Sequence, residues 1–382
     1  MQVLFWLITG LVLWTYLGYP CFLGLIAWFR DRKLLSEPAE PALSVIIAAF
    51  NEQEHIGQKL ANTLEMDYPQ EKLEVIVASD CSIDKTHEIV DQFRERGVKL
   101  VVLPQRGGKT AAQNAAALQA TGEILVFTDA TTILRNDAFR ELVKGFSDPR
   151  VGCIDAPHES VSESETVVGR GGRAYRRYET VIKDLEARVN SLIGVTGCLY
   201  AVRRGLYEPL NPDLISDFVI ASKVYSKGYI SIPSYGIVTR EIAYEDVSKE
   251  FEMRVRIVIR SIHGLVREAR MLNPFRYGFF SFQLLSHKVL RYLVPELLLA
   301  ALFLSPILSW SNLPWSRLYL TLFVAQLCLY AAALLGWLSL KLKIRVPLLY
   351  LPFYFVVANL AALWGFLQYL RGERKVTWTT VR

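Results

Sequence analysis

The sequence predicts an α/β domain set between membrane-crossing helices. Apolar runs at 43–50, 73–79, 98–103, 123–128 and 151–154 alternate with helical stretches near 54–66, 84–96, 109–120 and 136–146. This βαβα order builds a parallel sheet with right-handed crossovers. The chain has 382 residues, 52% of them hydrophobic, and a mean hydropathy of +0.24, which is high for a purely soluble protein. Its longest apolar runs lie at the two ends, so the lipid-facing material flanks the mixed α/β pattern.

The N-terminal run, residues 3–29, carries no charge and is followed by Arg30, Asp31, Arg32 and Lys33. About 20 apolar residues suffice to cross a bilayer, and cations just after such a run place the next segment in the cytoplasm. A signal peptide is the competing reading. The run is too long for one, lacks a basic leader and shows no small-residue cleavage site, so residues 1–33 are expected to be an uncleaved anchor. Ser36–Pro41, SEPAEP, reads as a short stiff linker.

Residues 41–248 hold the alternating pattern and are expected to be the cytosolic domain. Residues 249–291 mix arginines with Phe275, Tyr277, Phe279, Phe280 and Phe282 and are expected to lie as helices in the membrane interface. Within 292–382, the apolar runs Leu293–Trp310, Leu318–Leu338 and Val346–Tyr369 are separated around Ser311–Arg317 and by Lys341, Lys343 and Arg345. Four crossings would return the C-terminus to the outside, whereas Arg371, Arg374, Lys375 and Arg382 favour the inside. One run is therefore expected to be re-entrant or interfacial, and Val346–Tyr369, interrupted by Pro347 and Pro352, is the first suspect.

The formal charge of +6 is modest and gathers at membrane-proximal segments, which suits anionic headgroups and not nucleic acid. The five cysteines lack CxxC spacing, so neither a zinc site nor a disulfide framework is expected. The five histidines show no HExxH or cluster spacing. RGGKTAAQN at 106–114 contains Gly-Lys-Thr, but a Walker A loop needs glycine where Leu103 sits.

The most informative stretch is Ser44–Asp84. SVIIAAF ends in Asn51 and Glu52, and LEVIVAS ends in Asp80, so polar acceptors gather at the carboxyl edge of a parallel sheet, where ligands bind. Carboxylates without a glycine fingerprint suit the NH and OH groups of a base and ribose, and this edge reads as the opening of a nucleotide-sugar site. AAFNE and SDCSID, in this order and at this spacing, resemble the motifs of family 2 glycosyltransferases, whose domain has the GT-A (nucleotide-diphospho-sugar transferase) fold. The likeness covers roughly residues 41–262 and points to processive members such as hyaluronan, chitin and poly-N-acetylglucosamine synthases.

That resemblance implies site roles. Asn51, Glu52 and Asp80 would seat the donor nucleotide, and Lys109 and Asn114 match a stretch that opens a helix beside it; a capped surface helix is the other reading. Asp129, ending the strand GEILVFTD, occupies the place of a DxD motif that holds Mg²⁺ or Mn²⁺. The second carboxylate is replaced by Thr131, whose hydroxyl would serve the cation or its water. Thr196, Gly197 and Tyr200 in TGCLYAVRR match a segment bordering the acceptor, with Tyr200 stacking on a sugar; a core strand would look the same. Asp217 in ISDF matches the general base of an inverting displacement. Arg256 in FEMRVRIVIR stands where processive relatives carry QxxRW, and its fork would bind the departing diphosphate; an amphipathic edge formed by Arg254, Arg256 and Arg260 is the alternative.

The expected function is a membrane-integrated inverting glycosyltransferase of a plasma or inner membrane. It would transfer sugar from a UDP-hexose or UDP-N-acetylhexosamine to a growing polysaccharide. Single addition to a lipid-linked saccharide remains open, because the Gln and Trp of QxxRW are absent. A catalytically lapsed scaffold is the rival from another class, and the joint presence of Glu52, Asp80, Asp129 and Asp217 weighs against it.

Overall fold

The computed structural model describes residues 1–30, 34–160, 167–237, 239–241, 247–310, 315–342, 344 and 346–377. Asp31, Arg32, Lys33, most of the Ser311–Arg317 break, Lys343, Arg345 and Arg382, all used in the topology argument above, lie outside the described residues.

Seven strands form one sheet. β1 (Leu43–Ala49), β2 (Leu73–Ser79), β3 (Val98–Val102), β4 (Ile124–Asp129) and β5 (Val151–Asp155) fall where the apolar runs place them. A short pair, β6 (His158–Ser160) and β9 (Thr239–Glu241), stands apart, and β7 (Leu199–Arg203) and β8 (Ile230–Pro233) complete the main sheet in the order β3-β2-β1-β4-β7-β5-β8. The sheet is mixed, which corrects the expectation of a purely parallel one. β7 runs antiparallel to both β4 and β5. Its entry, residues 196–198, therefore arrives at the same edge as the carboxyl ends of β1, β2 and β4.

Helices cover both faces. α2 (Ile56–Leu64), α3 (Thr86–Asp91), α4 (Gly108–Ala117) and α5 (Ala138–Val143) follow successive strands, α6 (Val167–Val189) precedes β7, and α7 (Ser216–Ser226) precedes β8. Val45, Ile47, Val75, Val77 and Val126 face Ile56, Leu60, Phe139 and Leu142, while Ile46, Ile76, Leu125 and Phe127 face Ala112, Ala116, Ile220 and Val224. Burial on both sides explains the unbroken apolar strands. Each such side chain contributes roughly 1.5–3 kcal/mol relative to leaving it in water.

Among the described residues, four helices are long and apolar enough to cross a membrane: α1 (Gln2–Phe29), α9 (Phe279–Ser309), α10 (Ser316–Lys341) and α11 (Pro347–Leu370). α9 starts at Phe279, inside the stretch 249–291 expected to be interfacial. What remains of that stretch is chiefly α8 (Val247–Arg267). α1 and α9 each contain a wider π-helical turn, at Trp14–Gly18 and Leu285–Val289, and the Trp14 indole donates to Ser286 Oγ at 3.2 Å between them.

α11 runs beside α8 along its length. Tyr354 meets Glu250 and Arg254, Ala361 packs with Val255 and Ile259, Ala362 with Val258 and Ile262, and Tyr369 with His263. The segment after α11 then reaches the α/β domain. The Glu373 carbonyl lies 3.3 Å from His263 Nε2, and the Val376 carbonyl would be 2.5 Å from a Cβ at Gly108. Gly108 also has φ +84°, a second reason for glycine there.

Candidate active site at the carboxyl edge of the sheet

The ends of β1 and β2 are built under strain. Asn51 and Cys81 hold left-handed conformations, φ 53° and 60°, which non-glycine residues adopt when the surroundings dictate it. Asn51 suits this best, and its side-chain oxygen accepts from Ile83 N at 2.9 Å while its own N–H donates to Ser82 Oγ at 3.0 Å. The Glu52 N–H donates to Thr86 Oγ1 at 2.8 Å, and its carbonyl accepts from Ile56 N, in the turn that leads into α2. Asp80 is wholly buried; its Oδ1 accepts from Gly107 N at 2.6 Å and Gly108 N at 2.9 Å, and Arg106 approaches Oδ2 at 3.5 Å. Asp80 thus fixes the loop that opens α4.

Lys109, one residue into α4, bridges to the neighbouring strands. Its Nζ donates to the Gly197 carbonyl at 2.9 Å and pairs with Asp129 at the end of β4. Burial pulls the Lys109 pKa down, but the charge and hydrogen bond of Asp129, with help from Asp217, outweigh it and leave the ammonium above its ordinary value. Thr131 is half-buried in the turn closed by Thr132 N on the Asp129 carbonyl at 3.2 Å. Among the described residues, no group of three or more His, Cys, Asp or Glu side chains is placed to hold a metal ion. Asp129 supplies a single, partly exposed carboxylate, which fits a cation that takes its remaining ligands from phosphate and water.

Asp217, at the start of α7, stands across Gly197 from this pair. A Cβ on Gly197 would lie 3.0 Å from Asp217 Oδ2 and 3.6 Å from Lys109 Nζ. Any larger residue would part the two charges. Among the described residues the Asp217 carboxylate accepts no hydrogen bond, whereas its backbone carbonyl accepts from Val195 N at 2.8 Å. Burial raises its pKa, opposed by Lys109, Lys288, Arg260 and Lys183.

Some expected residues have other duties. Tyr200 is wholly buried, with its ring 4.9 Å from that of Phe127 in the core, so it cannot stack on a sugar; strand alternation points it into the sheet's packed face. The Asn114 amide is spent on the 207–210 loop: its oxygen accepts from Tyr207 Oη at 2.8 Å and Leu210 N at 3.0 Å, and its nitrogen donates to the Leu210 carbonyl. Thr196 lies at the site's border, where Lys183 Nζ donates to Thr196 Oγ1 at 2.9 Å and to Asp155 Oδ2 at 2.8 Å. Arg256 lies on α8, but the arginine set against Asp217 is Arg260, one turn further on, which donates to the Leu214 carbonyl at 2.5 Å and Thr110 Oγ1 at 3.1 Å. Burial lowers its pKa to about 10.

Lys59 is a further buried amine, one that no motif marks. It donates to Thr128 Oγ1 at 3.1 Å and the Thr132 carbonyl at 2.6 Å, and burial lowers its pKa to about 7 despite the nearby Asp129. Its signal was in the sequence: Lys59 falls on the apolar face of α2 with Ile56, Leu60 and Leu64.

Residues 44–209 match the glycosyl transferase family 2 profile. The Probable glycosyltransferase YdaM of Bacillus subtilis is 28% identical over 217 residues, 53% of this chain and 50% of that protein. A poly-beta-1,6-N-acetyl-D-glucosamine synthase of Staphylococcus aureus is 29% identical over 235 residues, 56% of each chain. The match thus spans about half the length of these curated relatives. The structure of the mannosyltransferase PcManGT from Pyrobaculum calidifontis, in complex with GDP-Man and Mn²⁺, superposes with a TM-score of 0.70 over 95% of this chain and 99% of that one, at 24% identity. That likeness shows the fold, a GT-A domain.

Proposed function

We propose, for a chain whose residues 44–209 are a glycosyl transferase family 2 domain, that the whole protein is a membrane-integrated inverting glycosyltransferase. The donor is a nucleoside-diphosphate sugar, a UDP-hexose or UDP-N-acetylhexosamine, and the product is a growing polysaccharide. One observation carries the mechanism: the Asp217 carboxylate, which accepts no hydrogen bond among the described residues, faces the Lys109–Asp129 pair across Gly197.

In this reading Asn51, Glu52 and Asp80 form the nucleotide side of the edge. Asp129, with Thr131, would hold Mg²⁺ or Mn²⁺, which when bound offsets the charge of the leaving diphosphate. Lys109 adds a second positive charge there, and Arg256 and Arg260 lie along the same wall. The acceptor oxygen attacks the anomeric carbon with its lone pair, and its proton passes to Asp217. The bond from that carbon to the diphosphate oxygen breaks, its electron pair leaving with the nucleotide. Burial favours this exchange, because a base with a raised pKa holds the proton more readily.

α1, α9 and α10 cross the bilayer in this reading, while α11 lies along amphipathic α8 and returns residues 371–376 to the catalytic side. The catalytic domain and the C-terminal arginines then share the cytoplasm, which removes the charge conflict of four crossings. Addition of one sugar to a lipid-linked acceptor is a second reading, favoured by a cavity beside Asp217 that is walled in part by α9.

Detergent-purified protein incubated with UDP-glucose, UDP-N-acetylglucosamine and GDP-mannose, each with Mn²⁺, tests the proposal through released nucleotide and product length. Turnover with one UDP-sugar, abolished by EDTA and by Asp129→Ala in a folded protein, is the expected result. Full activity in EDTA overturns the cation role, and no turnover with any donor overturns the enzyme reading.

A further inference from the structure

A cavity of about 280 Å³ opens at the carboxyl edge of the sheet, away from the Lys109–Asp129 pair. Asp155 ends β5 and Pro233 ends β8, and both line it. β5 stands two places from β4 in the sheet order, so the cavity begins about 10 Å along the edge from Asp129. α6 contributes Glu179, Lys183 and Asp184 to its lining. Thr196 lines it too, and the next residue is Gly197, which lies between Asp217 and Lys109. Glu179 and Lys183 also line a smaller cavity that contains Asp217. The two cavities thus share a wall, and a chain-like ligand could occupy both.

The charges of the larger cavity are matched already. Lys183 Nζ pairs with Asp155 at 2.8 Å, Glu179 faces His287 at 3.1 Å and pairs with Arg291, and Asp184 lies 3.9 Å from Arg188. The unbonded Nε and Nη2 of Arg176 are buried and offer the cavity no donor. An ionic ligand therefore finds its counter-charge taken. Glu179, Lys183 and Asp184 are partly exposed, and their remaining lone pairs and N–H groups suit hydroxyls. The apolar lining is Pro157, Pro233 and the ring of Tyr235. Tyr235 is 73% exposed, yet it is held in place. The Ser234 N–H donates to the Asp155 carbonyl at 2.6 Å, the Gly236 carbonyl accepts from Arg135 at 3.0 Å, and the Tyr235 hydroxyl bonds to Asp184. A fixed, open aromatic face is a preorganised platform, and beside neutralised polar groups it suits a ligand with a C–H face and a hydroxyl rim.

We propose that this cavity is a second acceptor subsite, which takes an uncharged sugar unit stacked on Tyr235 while the terminal unit of the same saccharide presents its hydroxyl to Asp217. This rests on the reading of Asp217 as the acceptor-side base. The acceptor is then a neutral saccharide of at least two units, and a single sugar or a bare alcohol leaves the subsite empty. Tyr235 supplies the aromatic platform that Tyr200, buried in the core, cannot. It is a specificity residue here and takes no part in the bond exchange.

The test is equilibrium binding to the full-length protein in a detergent without a sugar headgroup. The probes are the monomer and the trimer of glucose, of N-acetylglucosamine and of mannose, with the trimer of glucosamine as a charged control. One neutral trimer is expected to bind more tightly than its own monomer and than the glucosamine trimer. Tyr235→Ala should weaken that trimer roughly three- to tenfold, the usual effect of losing an aromatic contact. Affinities for the monomer and for UDP should not move, and Tyr235→Phe should keep trimer binding. The subsite is overturned if no neutral trimer binds better than its monomer, if monomer and trimer lose affinity equally in Tyr235→Ala, or if that variant melts and binds the trimer as the wild type does. Tighter binding of the glucosamine trimer overturns the uncharged assignment. If the wild type turns over no nucleotide sugar yet binds a trimer through Tyr235, the transfer reading fails and the subsite stands. Turnover with a trimer affinity indifferent to Tyr235→Ala has the opposite meaning.

Discussion

Replacing Gly197 by alanine tests the arrangement around Asp217 with a single methyl group. The new Cβ would stand 3.0 Å from Asp217 Oδ2 and 3.6 Å from Lys109 Nζ. The first contact is closer than a carbon and a carboxylate oxygen tolerate, so Asp217 must shift by a few tenths of an ångström and the methyl lies between the two charges. Gly197 does not occupy the left-handed region, so alanine suffers no backbone strain. It gains about 0.4–1 kcal/mol by restricting the unfolded chain, against about 1 kcal/mol or more for crowding. Net stability should move by about 1 kcal/mol or less. Turnover should fall much further, about tenfold or more, because a base displaced by a few tenths of an ångström and separated from Lys109 by a methyl loses alignment with its proton. Released nucleotide gives the rate, and thermal melting and UDP affinity on the same preparation control for folding and donor binding. Wild-type turnover in Gly197→Ala would refute the claim that Asp217 and Lys109 act across that residue.

Asp217→Asn should cost about 10²- to 10⁴-fold in turnover with UDP binding intact; unchanged transfer would remove the base, and lost UDP binding would move Asp217 to the donor side. Because burial raises the Asp217 pKa, the acidic limb of the rate profile should fall at a higher pH than an ordinary aspartate would give. Lys59, at about 7 when folded, releases its proton while the unfolded chain keeps one up to about pH 10.4. Stability should therefore rise between those values, by up to about 1.4 kcal/mol per pH unit, and level off below pH 7. Melting curves of wild type and Lys59→Met should diverge in that window, and parallel curves would place the charge elsewhere. For topology, single cysteines in 41–248 and at Gly372 should react from the cytoplasmic face alone; opposite labelling of the two would make α11 a full crossing.

The strands and their polar ends were legible because apolar runs, turn residues and strand-end acceptors are local signals. The reversal of β7 was not, since TGCLYAVRR has the same composition in either direction and only pairing with β4 and β5 sets it. α6 escaped notice because GRGGR at 169–173 has poor helix propensity. Its stability comes from packing: Ile182 and Val189 bury against Tyr19, Leu23 and Ala27 of α1. Tyr200 and Asn114 were misread for a shared reason. A motif gives a residue's place along the chain, while its neighbours in space decide whether the side chain is free.

Val376, in the segment after α11, closes against Gly108 at the head of α4, and this contact orders events in time. A chain is made from its amino end, and domains fold as they emerge, so β1–β8 can assemble long before the last helix leaves the ribosome. The wall beside Lys109 is then missing. It arrives only after α9, α10 and α11 have been made, so under the proposed membrane reading the site would be completed only once those helices have settled in lipid. Ribosome-held chains ending before Arg371 should bind UDP more weakly than released protein; equal affinity would show that the wall is dispensable. Under that reading a half-made chain would hold its nucleotide sugar less firmly until the helices that follow the sheet are in place.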